Sequence, residues 1–452
     1  MSGPVADPSQ IILPLASYPL SSVGYHESEF FFSGTANAYT NTAPLGSDGD
    51  WTLKSASTAP YESRMVVVAP NNPARFSGTV VVEWLNVSAS TDAAPDWEYA
   101  HDEMLRSGDV YVGVSAQAVG INAIKAADPT RYGALNSPGD SYSYDVFSQG
   151  GMALRALTRQ ILPGLHPRSF IADGESQSAS RMTTYVDGVA PLTHVYDGYL
   201  IHSRGAAGAA ISQAPQPAIA SPPVVETRTD QAAPVLTFET ETDVVSKIFN
   251  YFPATQADSK TFRLWEVAGT THLDSSLLTL SQSDDGSWAA NQQEFAQMFS
   301  PPITETNAGT FTCTVPFNTG EEKYVMQTAI HDLARWTQTG IPPRSMPRFS
   351  VNAGATPSYV LDANGNVTGG IRTPAVDTPV ATLSGLAPAG APGFCILFGQ
   401  TTPFSAQKLT SLYPSHRAFV RDWDRSVSRD LRAGYLLSQD AATLQDVVST
   451  LG

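Results

Sequence analysis

The chain is poor in positive charge, has two cysteines and contains no long apolar run, and each scarcity removes a class of function. Lysine and arginine together number 26 of 452 residues against 42 aspartates and glutamates, for a formal net charge of -16 at pH 7. Nucleic-acid binding rests on Lys and Arg neutralising phosphates, and docking on anionic lipid needs the same sign, so neither partner is expected. Charged residues are only 15% of the chain; the acidity is spread thinly and reads as a solubility feature rather than the mark of a cationic partner. No apolar stretch approaches the roughly 20 residues that a membrane-spanning helix needs. The N-terminus, MSGPVADPSQ, lacks the basic and apolar segments of a signal peptide, which favours a cytoplasmic location.

Cys313 and Cys395 belong to no CxxC pair or Cys/His cluster, so neither a metal site nor a redox motif is expected. Two readings of the pair stay open. They are buried free thiols, or they close a long loop with a stabilisation of about 4–5 kcal/mol in the chain-entropy model. The second reading points to an oxidising compartment and a secreted protein.

What is present is a globular composition, with 42% hydrophobic residues and a length that accommodates one large domain or one and a half. Short apolar runs at Glu29–Phe32, Met65–Val68, Thr79–Trp84 and Val110–Val114 predict strands. The series continues at Ser169–Ala172, Tyr196–Ile201, Val235–Phe238 and Phe262–Val267. Early runs stand close enough for hairpins, whereas later ones are separated by helical stretches such as Met152–Ile161 and Ser178–Val186. Near-continuous β-branched runs with crossover helices call for a parallel sheet covered on both faces. The expected fold class is therefore α/β: an open eight-stranded, mostly parallel sheet, antiparallel at its start, with helices on both faces. Residues 1–275 form its core. Within them, residues 204–233 are rich in Ala and Pro and without period, a candidate cap or lid segment. Residues 276–452 are read as a C-terminal extension that wraps the core as part of one unit, with a small separate module as the alternative. There, Thr319-Gly-Glu-Glu322 has the form of a capping box opening a helix that runs to about Thr339, with Gly340 ending it.

The chemistry concentrates at Gly174-Glu175-Ser176-Gln177-Ser178, directly after the strand SFIAD and before the helical SASRMTTYV. A nucleophile elbow needs a strand, a sharp turn bearing the serine, and a helix, with small residues two before and two after it so that the backbones pass closely. Ser178 stands where glycine is usual. A serine hydroxyl needs a base oriented by a third group, and in this arrangement the acid and then the histidine follow it in the chain. Asp243 lies after the strand PVLTF, with Glu241 and Glu239 as rivals for the acid. His272 lies on the loop after FRLWEVAG. His202 precedes the acid and is assigned to lining the site or supporting a loop, while His331 and His416 are read as structural. The oxyanion hole is expected to use the Gln177 N–H, at a helix N-terminus, and a donor from the loop at Asn86 and Val87. Trp84, His202 and Glu241 are candidate pocket residues, with Trp97, Tyr99 and Tyr132 flanking. Asp362-Ala-Asn-Gly-Asn-Val opens like a calcium loop, but Val367 replaces its glycine; Asn364-Gly365 is better read as a hairpin turn. No metal and no organic cofactor are expected.

Assembled, these residues resemble the α/β-hydrolase superfamily, and more narrowly a large bacterial family of alpha/beta hydrolase domain proteins in which a GxSQS elbow is usual. The resemblance is carried by Val82–Ser88, Tyr111–Gln117, Gly174–Ser178, Tyr199–Arg204, Glu241–Asp243, Gly370–Pro374 and Leu412–His416, which span most of the chain. It implies a serine hydrolase cleaving a carboxylic ester of a small molecule through an acyl-enzyme, with Ser176 as nucleophile, His272 as base and Asp243 as orienting acid. Acyltransferase, lactonase or amidase chemistry on the same triad, and a non-catalytic hydrolase-like binding protein, are the competing expectations.

Overall fold

A computed structural model describes residues 1–5, 10–307 and 310–450. Its first eight strands are β1 (Tyr25–Asn41), β2 (Leu53–Pro70), β3 (Thr79–Trp84), β4 (Val110–Val114), β5 (Ser169–Glu175), β6 (Gly198–His202), β7 (Val235–Thr240) and β8 (Phe262–Ala268). A small antiparallel pair, β9 (Val351–Asn352) and β10 (Ser358–Tyr359), precedes β11 (Ile371–Arg372). Strands β1 to β8 and β11 form one sheet in the order β1-β2-β4-β3-β5-β6-β7-β8-β11. The pairs β1–β2 and β2–β4 are antiparallel, and every pair from β4–β3 to β8–β11 is parallel. The expected sheet is thus present with one added strand: the two-residue β11 is too short to give a pattern of its own.

Strand β3, TVVVEW, is buried at all six positions, because both of its faces are covered. One face carries a core with Val80, Val82, Phe147, Ala179 and Met182. The other carries Val81, Ile171, Leu200, Trp97, Val325 and Ile330. This second core is built from the helix Pro95–Ser107 and, from the far end of the chain, the helix Glu322–Thr339. The C-terminal third therefore supplies a helix under the sheet and a strand at its edge.

Several elements depart from expectation. Strands β1 and β2 run for 17 and 18 residues, far beyond their apolar centres. The additional pairing, such as Asn37↔Thr58 and Ala38↔Ser57, is a ladder of main-chain hydrogen bonds among small polar residues, which hydrophobic patterning does not register. The helix expected at Met152–Ile161 begins earlier, at Ser143. Gly150 and Gly151 obscured it, yet glycine is needed there: a Cβ on Gly151 would stand 2.5 Å from Val195 and 2.7 Å from the Tyr196 ring. The helix at Glu322–Thr339 forms and ends at Gly340 in the left-handed region, φ 70°. Its capping box does not. Thr319 faces the Thr401 hydroxyl instead, and Glu322 reaches His202. The Asn364-Gly365 turn closes between Leu361 and Val367, with Asp362 accepting from the Asn364 and Asn366 N–H groups.

Residues 204–233 pack as coil with one isolated bridge, Ser212↔Ile219. They lie along the helix Gln177–Thr184, where Ala209 N donates to Ser180 O and Thr184 Oγ1 donates to Ala209 O. Buried Arg228 ties the end of the segment to Asp187 and Asp230.

Cys313 and Cys395 are bonded, with a Cα–Cα distance of 5.8 Å and a sequence separation of 82. Opening that loop with the double variant C313S/C395S is expected to remove up to about 4–5 kcal/mol of stability. A midpoint of chemical denaturation identical to the native protein's contradicts this.

The interior is also rich in acids held uncharged. Burial pushes Asp187 and Glu321 up to about 8 and Asp430 up to about 7. In an unfolded chain such groups titrate near pH 4, so between about pH 4 and 8 the folded protein binds more protons than the unfolded one. Stability is then greatest below that window and falls as pH rises through it. Thermal unfolding is expected at a higher temperature at about pH 5.5 than at about pH 8.5; the reverse order would refute the assignment.

Candidate active site

Strand β5 ends at Glu175, and the helix Gln177–Thr184 begins two residues later. The intervening Ser176 has φ 57° and ψ -111°, a conformation that costs a non-glycine residue about 1–3 kcal/mol and persists only when its surroundings enforce it. Two features do so. Ser176 N donates to His202 O at 2.9 Å, continuing the β5–β6 ladder, and Ser180 N donates to Ser176 O at 3.0 Å. The strand and helix pass so closely that a Cβ on Gly174 would meet Ser178 backbone and Cβ atoms at 3.1 Å. Ser178 is small enough for that approach, so its replacement of glycine is sterically accommodated.

Around this turn the structure brings together the three residues singled out in sequence. His272 Nε2 lies 2.8 Å from Ser176 Oγ, and His272 Nδ1 lies 2.7 Å from Asp243 Oδ1. Asp243 occupies the first turn of the short helix Glu241–Val245. Its second oxygen accepts from Thr240 N at 2.8 Å, Thr240 Oγ1 at 2.6 Å and Ser203 Oγ at 2.8 Å. Burial alone would raise the Asp243 carboxyl, but the His272 imidazole and the Thr240 bonds outweigh it and hold the group below its ordinary range. Phe249 stacks on the His272 ring at a centroid distance of 4.3 Å. The histidine loop is further pinned by His272 N donating to Thr242 Oγ1, and by Leu273 N and Thr271 Oγ1 donating to Leu397 O. Leu397 is two residues from the disulfide at Cys395.

The rival acids lie elsewhere. Glu241 accepts from Gly269 N and Gly385 N, joining the end of β8 to the C-terminal third. It is 1% exposed, not the open pocket-lining residue expected. Glu239 is buried within β7, and its carboxyl oxygens have no hydrogen-bond partner among the described residues. Trp84, also expected at the pocket, is core: its ring packs on Tyr144 and Phe147, and its indole N–H donates to Gln117. Tyr132, Trp97 and Tyr99 are likewise buried.

His202 is fully buried rather than pocket-lining, with Nδ1 2.7 Å from Asp96 Oδ1 and Nε2 3.1 Å from Glu322 Oε1. Burial pushes this imidazole down, but the two carboxylates prevail and hold it well above its ordinary value. It is a cation beneath the elbow, among Glu83, Asp173 and Glu175, each raised foremost by burial. His331 pairs with Glu103, and His416 opens a C-terminal helix.

The expected oxyanion donors are divided by the structure. Gln177 stands at the first position of its helix and is partly exposed. Asn86 is not a free donor: its N–H donates to Ala93 O, and its side-chain amide donates to Glu175 O and Oε2, each at 3.0 Å. The neighbouring Val87 N–H has no hydrogen-bond partner among the described residues. Sequence reading passed over Glu175, Thr240, Ser203 and Phe249. Of these only Thr240 left a signal, in the Thr-x-x-Asp spacing of a capping box.

One cluster of metal-ligand type occurs among the described residues, at His101, Asp102 and Asp284. Lys323 Nζ stands 2.6 Å from Asp284 and 3.5 Å from Asp102, so an ammonium already supplies the positive charge there.

Among solved structures, similar ones include prolyl oligopeptidase B from Galerina marginata, at 12% identity and a TM-score of 0.27 over 49% of this chain and 29% of that one. Others are the α/β serine hydrolase XC6422 from Xanthomonas campestris (12%, TM-score 0.28, 52% and 83%) and a fungal esterase from Rhizomucor miehei (10%, TM-score 0.28, 55% and 77%). The chain spans less than a third of the oligopeptidase, and likenesses this distant carry no reaction across. No curated protein matches the chain. The family model described as Alpha/beta hydrolase domain matches residues 1–446, and the chain belongs to that family.

Proposed function

We propose that the protein is a serine esterase that hydrolyses a carboxylic ester of a small molecule through an acyl-enzyme. The observation that carries this reading is the unbroken hydrogen-bonded chain from Ser176 Oγ through His272 to Asp243, set on a strained turn whose serine is partly exposed. In the proposed reaction, Ser176 Oγ attacks the acyl carbon while His272 Nε2 takes its proton. Asp243 fixes the tautomer with Nδ1 protonated and stabilises the imidazolium that forms. The oxyanion is held by the N–H groups of Gln177 and Val87, which have no other acceptor among the described residues and need no reorganisation as charge develops. Collapse expels the alcohol, protonated by His272; water then attacks the acyl-enzyme by the same route and releases the acid.

Acyl transfer, lactone opening and amide cleavage use the same groups. Access of solvent to Ser176 and Gln177 favours water as the acceptor. A binding protein without catalysis has no use for a serine held in a costly conformation beside a base and an acid.

Ser176→Ala is expected to abolish turnover of p-nitrophenyl esters and labelling by a fluorophosphonate probe while leaving the fold intact; persisting turnover would exclude the reading. Asp243→Asn is expected to lower kcat by about 10⁴-fold, since it favours the wrong tautomer, and a loss under tenfold in steady-state assays argues for another acid. Ser176→Gly relieves the positive φ that alanine leaves in place. It is therefore expected to unfold at a higher temperature than Ser176→Ala, and equal or lower values would show that the turn stores no strain.

A further inference from the structure

Glu175 is the last residue of β5, next to Ser176 and 2% exposed. Its Oε2 accepts from Asn86 Nδ2 at 3.0 Å. Its Oε1 lies 3.2 Å from His272 Nε2 and makes no well-formed hydrogen bond among the described residues. A buried polar atom in that state costs about 1–3 kcal/mol, so its place against the reactive nitrogen requires a reason. Asn86, in turn, holds the elbow strand through Glu175 O and accepts from Ser88 N at 2.7 Å. It thereby shapes the loop that presents the Val87 N–H.

We propose that Glu175 is a positioning residue of the ester-hydrolysing site: Oε1 sets the His272 edge, Oε2 sets the oxyanion loop through Asn86, and one side chain keeps base, nucleophile and oxyanion donor at a common spacing. The inference rests on the esterase reading above. The charge state of the site agrees with it. Burial drives the Glu175 carboxyl well above its ordinary range; His202 opposes this, and Asp96, Asp243 and Glu83 add to it. The groups facing it are His202 on β6, Asp96 and Tyr99 on the helix Pro95–Ser107, Glu83 on β3, Asp243 after β7 and His272 after β8. With its proton on Oε2, the uncharged Glu175 offers Nε2 a carbonyl lone pair at Oε1 that is satisfied only once Nε2 has taken the serine's proton. Such an interaction favours the transition state over the ground state.

The test is steady-state hydrolysis of a p-nitrophenyl ester by the full chain carrying Glu175→Ala, Glu175→Gln or Asn86→Ala, with Ser176→Ala as control. Glu175→Ala is expected to lower kcat on the order of 10- to 100-fold with KM within about threefold, the signature of lost positioning rather than lost substrate binding. Glu175→Gln turns its amide oxygen to Asn86 Nδ2 and sets an NH2 group, not an acceptor, against His272 Nε2, so it is also expected to lower kcat by about 10-fold or more, while Asn86→Ala, which releases the carboxyl without removing it, lowers kcat without raising KM. A folded Glu175→Ala protein with native kcat, or native kcat in Glu175→Gln or in Asn86→Ala, overturns the proposal. Should Glu175→Ala fail to fold, the other two variants decide it. Turnover surviving in Ser176→Ala would sink the esterase reading itself, whereas a dead Ser176→Ala beside a fully active, folded Glu175→Ala sinks this inference alone.

Discussion

The turn at Ser176 depends on backbone contacts that reach across the whole chain. A serine at φ 57° relaxes unless its N–H and its carbonyl are both held, and here the N–H is held by the carbonyl of His202. His202 is fixed in turn by Asp96, from the helix after β3, and by Glu322, from the helix of the C-terminal third. The elbow is therefore supported by residues far before it and far after it in the chain. This explains why Glu322 leaves the cap of its own helix. Its carboxyl instead meets the buried His202 Nε2 at 3.1 Å, a contact worth more than a helix cap of about 1 kcal/mol.

The same dependence shapes the electrostatics beneath the site. Glu83, Asp173 and Glu175 crowd one region of the sheet, and burial foremost drives all three toward their uncharged forms. Asp243, at the end of β7, is pushed the other way, because three hydrogen bonds to one oxygen and the imidazole at the other stabilise its charge. Two carboxyls flank one histidine with opposite charge preferences. That division fits the proposed role of His272, held at Nδ1 and free to take a proton at Nε2.

The C-terminal third is joined to the site by short, specific contacts. Glu241 joins Gly269 to Gly385, and Leu397 receives Thr271 and Leu273 from the histidine loop. The Cys313–Cys395 bond is anchored two residues before Leu397.

Local sequence was enough to specify the parallel sheet, through its β-branched runs and crossover helices, and the chain order serine, acid, histidine at the ends of β5, β7 and β8. Strand, turn and loop are each set within a few residues, and the order follows from which strand each loop leaves. The remainder was settled by packing between distant segments. Trp84 and Glu241 look from sequence like pocket residues, but the layer over the sheet buries the first and the C-terminal third buries the second. The long arms of β1 and β2 depend on main-chain pairing that small polar residues do not announce. Asn86 lost its place as an oxyanion donor because Ala93 and Glu175, the second of them 89 residues away, take its hydrogens. Burial and long-range partnership decide what a polar side chain does, and neither is written in its neighbours along the chain.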